Sequence, residues 1–166
     1  MRASQPSFIE PSHVPWLTAG MSLAALCAAW LAQYGFGLAP CHLCLWQRGA
    51  YWAAIAVSIA AIAVGARSKF RRALVALIGL VFLVGAGIAL FHVGVEQQWW
   101  QGSEACVGGT AGLTGADLEA AIMNAPVTRC DEIAFELFGI SMAGYNFMLY
   151  LVLAAFSFWG AARARK

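Results

Sequence analysis

Hydrophobic and polar positions divide the chain into four long apolar stretches, at about 16–36, 46–66, 73–95 and 142–162, separated by polar connections. Each stretch approaches the ~20 residues a helix needs to cross the hydrocarbon core of a bilayer. Backbone groups in lipid must be hydrogen-bonded within their own segment, so helices are the only sensible assignment. The pattern predicts an all-α membrane protein: one domain, 1–166, built as a four-helix transmembrane bundle. Its connections at about 37–45 and 96–141 share one side of the membrane. The longer one is expected to contain short helices. At 114–124, Thr114 and Asp117 form a capping pair while Leu118 and Ile122 share a face. At 131–138, Ile133, Leu137 and Phe138 recur at helical spacing between acids, as expected of a segment lying on the membrane surface.

Composition supports a lipid environment. The 166 residues are 61% hydrophobic and 11% charged, against about 25% charged in globular domains. A soluble core of this size cannot hide so much apolar surface. Charge placement then gives orientation, because Lys and Arg favour the cytoplasmic side. Arg2, Arg67, Lys69, Arg71, Arg72, Arg163, Arg165 and Lys166 belong to the tails and the short loop between the second and third stretches. The other side carries only Arg48 and Arg129 as cations, alongside Glu96, Glu104, Asp117, Glu119, Asp131, Glu132 and Glu136. Both tails are therefore expected inside, in a multi-pass protein of the bacterial inner membrane. The polar, proline-containing segment before Trp16 does not resemble the short basic start of a signal peptide, so the first stretch is expected to be kept. No nucleic-acid partner is expected.

Orientation gives the cysteines their meaning. Cys41, Cys44, Cys106 and Cys130 fall outside the cytoplasm, where disulfides persist; Cys27 lies within a span and reads as a small packing residue. The run Pro40-Cys41-His42-Leu43-Cys44-Leu45-Trp46-Gln47-Arg48 opens the second stretch. Its two-residue spacer lets a disulfide close within one helical turn. A static clip and a zinc half-site are the alternatives, and zinc would need two further ligands, for which only His42 and His92 are on offer. Electrostatics favours redox work. Cys44 falls in a first helical turn, where free N–H groups and the helix dipole stabilise an anion, and Arg48 is one turn on. Both favour the reactive thiolate. His92, near the outer end of the third stretch, comes to a depth similar to that of Arg48. With Cys44 the two could line a pocket for a polar ring on a lipid tail, hydrogen-bonding its carbonyl oxygen; an interfacial role is the plainer reading of each.

Cys106 and Cys130 lie in the long loop. A bond between them would close a loop worth roughly 3 kcal/mol of unfolded-state entropy, and it could do only that. Gly102, Gly108, Gly109, Gly112 and Gly115 loosen one end of the loop, however, and a loose, surface-hugging loop suits a disulfide that meets two partners in turn. The open glycine-rich approach favours Cys106 as the sulfur that a partner meets, whereas Cys130 is hemmed by Arg129, Asp131 and Glu132.

Taken together, four spans, a Cys-x-x-Cys with an arginine four residues after its second cysteine, His92 near the end of the third span, two further loop cysteines, and the runs Cys130-Asp131-Glu132 and Leu137-Phe138-Gly139-Ile140-Ser141-Met142 resemble the DsbB family of bacterial disulfide-generating membrane proteins. The likeness covers nearly the whole chain after about residue 15. It implies a quinone-dependent thiol–disulfide oxidoreductase. A reduced, periplasmic, thioredoxin-like protein of the DsbA type attacks the Cys106–Cys130 disulfide, electrons pass by exchange to Cys41 and Cys44, and Cys44 delivers them to ubiquinone or menaquinone held near Arg48 and His92. The glycine-rich surroundings of Cys106 depart from the more aromatic, proline-bearing stretch of better-known members and leave room for a dedicated partner. Two rival readings are a membrane disulfide exchanger that needs no quinone and a small membrane protein with structural disulfides.

Overall fold

The computed structural model describes residues 10–65, 68–103, 106, 115 and 129–163. A single 3₁₀ turn, Pro11–His13, leads into α1 (Val14–Trp30), with Pro15 in the first turn, where its missing N–H costs nothing. The helix then loosens into a π-helical turn, Leu31–Gly35. Helix α2 (His42–Ala63) has Cys41 as its N-cap. Helix α3 (Lys69–Glu96) is capped by Ser68, whose Oγ accepts from the backbone N–H of Phe70 at 3.2 Å. After a two-stranded hairpin, β1 (Glu136–Leu137) and β2 (Ile140–Ser141), the chain enters α4 (Met142–Arg163), where Ser141 Oγ accepts from Gly144 N at 3.2 Å.

Among the described residues three segments are long and apolar enough to cross a membrane: Pro11–Gly35, Phe70–Glu96 and Met142–Arg163. Helix α2 has the length but falls short in apolarity, because its first half carries Gln47 and Arg48 among its aromatics. Of the four expected spans, three are thus met by these helices, with α2 packed among them as the fourth helix. The 131–138 segment is not a helix either. It runs through bends into the hairpin, whose turn residues Phe138 and Gly139 both have positive φ, 51° and 77°. Two successive left-handed residues reverse the chain tightly and end any helix there. The helix expected at 114–124 lies outside the described residues, apart from Gly115.

The helices pack in chain order, α1 on α2, α2 on α3 and α3 most extensively on α4, and α4 also touches α1. Leu26, Ile78, Phe82 and Tyr150 fill the interior. The Tyr150 ring stacks on Tyr51 with centroids 4.5 Å apart and lies against Gly85, where an added Cβ would meet it at 2.7 Å. Thr18 and Ser58 share a hydrogen bond of 3.0 Å across the α1–α2 contact. At one end of the bundle Arg71 donates to the Ser12 carbonyl, and Arg163 lies over the Trp159 ring at 5.4 Å. The start of α2 and the end of α3 occupy the opposite end, where the site forms.

Candidate redox site

The start of α2 brings its two cysteines together. As N-cap, Cys41 turns its side chain back over the first turn and accepts from Cys44 N at 3.3 Å. The Cys41 thiol then donates to Cys44 Sγ at 2.8 Å. That hydrogen bond, helped by the backbone N–H groups and the Arg48 guanidinium and opposed by burial, draws the Cys44 thiol down to about 7. Cys41 is pushed up, because it gives its proton to that bond and is itself buried. The pair is thus asymmetric: Cys44 holds the charge and Cys41 holds the proton.

The second pair lies against the first. Cys106 and Cys130 are both buried, and Cys130 N donates to the Cys106 carbonyl at 3.2 Å. They form one apolar cluster with Cys41, Leu43 and Val95, and Cys44 packs on its edge. The Cys130 thiol, raised to about 11 by burial and by its hydrogen bond with Cys106, also reaches the Leu43 backbone and the Cys41 side chain. The expectation that Cys106 stands open to a partner is corrected: at 1% exposure it is as enclosed as Cys130. Its packing on Val95 at the end of α3 hides it, a contact that a loop composition does not reveal. Beside Cys130, Arg129 holds Asp131 and Glu132 in ion pairs, and the Asp131 carboxyl is drawn down by that arginine. Cys27 departs from its reading too, for it is exposed on the outer face of α1 instead of packed.

Arg48 does not reach outward. It donates to Gln33 Oε1 at 2.6 Å and to the Ala29 carbonyl at 3.2 Å, both on the first helix and its π-helical extension. It lies on a cleft of about 420 Å³ whose walls include Ala25, Ala29, Ala32 and Leu149 and whose polar end includes Cys41, Cys44, Gln47, His92 and Asn146. His92 is buried, with Nε2 3.5 Å from Cys41 Sγ and 3.7 Å from Glu96 Oε1. Ser141 Oγ donates to the other oxygen of Glu96. Cys41, Cys44 and His92 offer ligand atoms within 4.8 Å of one another, three donors that could hold a thiophilic metal ion. His42 takes no part in that group; its Nε2 accepts from the Trp46 indole at 3.3 Å, on the exposed side.

Sequence reasoning singled out Cys41, Cys44, Arg48, His92, Cys106 and Cys130, and all six are in or against this region. It passed over Glu96, Asn146 and Tyr51 and gave Gln47 little weight. A signal was available for Asn146, a buried-facing amide in the opening turns of an otherwise apolar helix.

Apolar helices around a buried asymmetric dithiol, with a second pair of sulfurs in contact, define a membrane-embedded thiol–disulfide protein. The chain belongs to the DsbB family: the family model described as disulfide bond formation protein DsbB matches residues 11–160. Among its relatives, an uncharacterized protein of Rickettsia prowazekii is 30% identical over 139 residues, 82% of this chain and 79% of the relative. Two proteins named disulfide bond formation protein B are also similar. The one from Aromatoleum aromaticum is 27% identical over 87% of this chain and 92% of its own. The one from Neisseria meningitidis serogroup A is 28% identical over 90% and 94%. No solved structure matches.

Proposed function

We propose that the chain is a quinone-dependent thiol–disulfide oxidoreductase that reoxidises a periplasmic, thioredoxin-like protein of the DsbA type, with four spans and both termini in the cytoplasm. The observation that carries this reading is the continuity of the site. Four sulfurs share one cluster, and that cluster opens onto a cleft with apolar walls and a polar end. A lipid-soluble ring fits such a space. The alanine face of α1 and Leu149 suit a hydrocarbon tail, while Arg48 and His92 can donate hydrogen bonds to carbonyl oxygens. Bound ubiquinone or menaquinone would supply a two-electron acceptor.

The chain's own residues do the rest. A partner thiolate displaces the packing over Cys106 and attacks the Cys106–Cys130 disulfide there, and Cys130, which lies against the first pair, leaves as the thiolate. Its contact with Cys41 suits the next exchange, in which Cys130 attacks a Cys41–Cys44 disulfide at Cys41 and releases Cys44; the partner's second thiol then closes its own disulfide and frees Cys106, which attacks Cys130 and frees Cys41. Cys44 is the better leaving group of that pair because its thiol is the more acidic, and as a thiolate it is the electron donor at the cleft. Arg48 stabilises the negative charge that develops there.

The test is oxidation of a purified, reduced DsbA-type protein by the purified chain with and without added quinone, followed by quinone absorbance. Quinone-dependent turnover that is abolished in Cys44→Ala is expected. Turnover at full rate without quinone would replace this reading with a protein-to-protein exchanger.

A further inference from the structure

Behind Cys41 a line of buried and half-buried hydrogen bonds crosses three helices. The Tyr51 hydroxyl on α2 donates to Asn146 Oδ1 on α4 at 3.0 Å, and Asn146 Nδ2 donates to Gln47 Oε1 at 2.8 Å. That leaves Gln47 Nε2 2.9 Å from Nδ1 of His92 on α3. An amide nitrogen only donates, so Nδ1 is the acceptor and a neutral ring carries its proton on Nε2. Nε2 is the atom that faces Cys41 Sγ at 3.5 Å and Glu96 Oε1 at 3.7 Å. Gln47 has little freedom to change this: it is 1% exposed, and its backbone carbonyl accepts from the Tyr150 hydroxyl at 2.6 Å. Glu96 is held from its other side by Ser141.

We infer that Tyr51, Asn146 and Gln47 are positioning residues that fix His92 as an Nε2–H donor facing the Cys41 sulfur and the Glu96 carboxyl, with the Cys130 backbone also against the ring. His92 then serves the dithiol by giving a hydrogen bond and not by taking a proton. When the pair is reduced, the Cys41 sulfur, whose own proton is turned to Cys44, accepts that N–H. When Cys41 is in a disulfide, a far weaker acceptor, the N–H turns to Glu96, so the ring never holds an unsatisfied buried donor. Last-helix residue Asn146 becomes part of the site without touching either sulfur. The role of this arrangement in turnover rests on the quinone-linked reading above; the tautomer itself does not.

Nitrogen-15 NMR of the full-length protein in detergent, labelled at histidine, reads the tautomer directly. The chain has three histidines, and loss of one signal set in His92→Gln assigns the relevant ring. At neutral pH the wild type is expected to show protonated Nε2 and bare Nδ1. In Gln47→Glu the carboxylate can only accept, and Asn146 can still donate to it, so the tautomer is expected to reverse. The same variant is expected to lose kcat by about tenfold with the quinone KM within about threefold. Asn146→Ala, which frees the Gln47 amide, is expected to give a mixture of tautomers. An Nδ1–H ring in the wild type overturns the assignment, and so does an Nε2–H ring retained in Gln47→Glu. A reversed tautomer with unchanged kcat overturns the positioning role. If Gln47→Glu does not accumulate, the wild-type spectrum and Asn146→Ala still decide. A wild type with the Nε2–H ring and no quinone-dependent turnover would sink the functional reading and leave the tautomer standing.

Discussion

Cys44 and Cys41 are identical side chains three residues apart, yet the fold drives their acidities in opposite directions. The cause is local. Cys41 caps the helix and lends its thiol proton to Cys44, and Arg48 adds a cation on the same side. Peptide-resolved alkylation of the reduced protein is therefore expected to show Cys44 reacting with a midpoint near pH 7, slow below it as the thiol and fast above it as the thiolate. Cys41→Ala removes the largest lowering influence and should move the midpoint upward; Arg48→Ala should move it upward by less. A midpoint unchanged in both variants would refute this account. In the quinone assay Arg48→Ala should also raise the KM for quinone roughly tenfold, the scale of one charge-assisted hydrogen bond; unaltered quinone kinetics would remove Arg48 from the site. Much of this was legible in the sequence, since a Cys-x-x-Cys at a helix start and an arginine one turn on follow from spacing alone. The capping geometry was not, because Cys is not among the usual caps. Nor were the partners of His92, which lie 45 and 51 residues away from it at Gln47 and Cys41.

At the scale of the element, hydrophobic periodicity located the long helices but misjudged one segment. Helix α2 begins at His42, ahead of its apolar run and with Cys44 in its first turn as the sequence suggested, because the Cys41 cap and not hydrophobicity sets its start. The 131–138 segment has apolar residues at helical spacing, but Gly139 permits a reversal that the pattern cannot register, and the acids ahead of it are taken up by Arg129. Phe138 shares the turn in a left-handed conformation that costs a side chain with a Cβ about 1 kcal/mol or more, and it is 90% exposed, so the fold gains little from its ring. Phe138→Gly is therefore expected to raise the thermal midpoint in detergent. Gly85→Ala should do the reverse. Its Cβ would press into the Tyr150 ring in the most extensive helix contact, a cost of about 1–3 kcal/mol, read as a lower thermal midpoint with helical content retained.

For the whole molecule, charge asymmetry and span count gave an orientation, and the structure adds that Arg71, Ser12 and Arg163 lie away from the end that holds the sulfurs. A phosphatase that is active only in the periplasm should be inactive when fused after Arg163 and active when inserted next to Gly115; the opposite pattern would invert the molecule. What no pattern in the sequence could convey is that the two cysteine pairs, one at the head of a helix and one in a distant loop, close into a single cluster. That proximity gives the chain a capacity as well as a route. With both pairs oxidised at the outset it can accept two electron pairs before anything removes them, so a second client can be served while the first pair of electrons is still aboard. Mixed anaerobically with excess reduced partner and no acceptor, one chain should oxidise two partner molecules in a rapid burst and then stop. A burst of one would mean that only one of the pairs is available for storage.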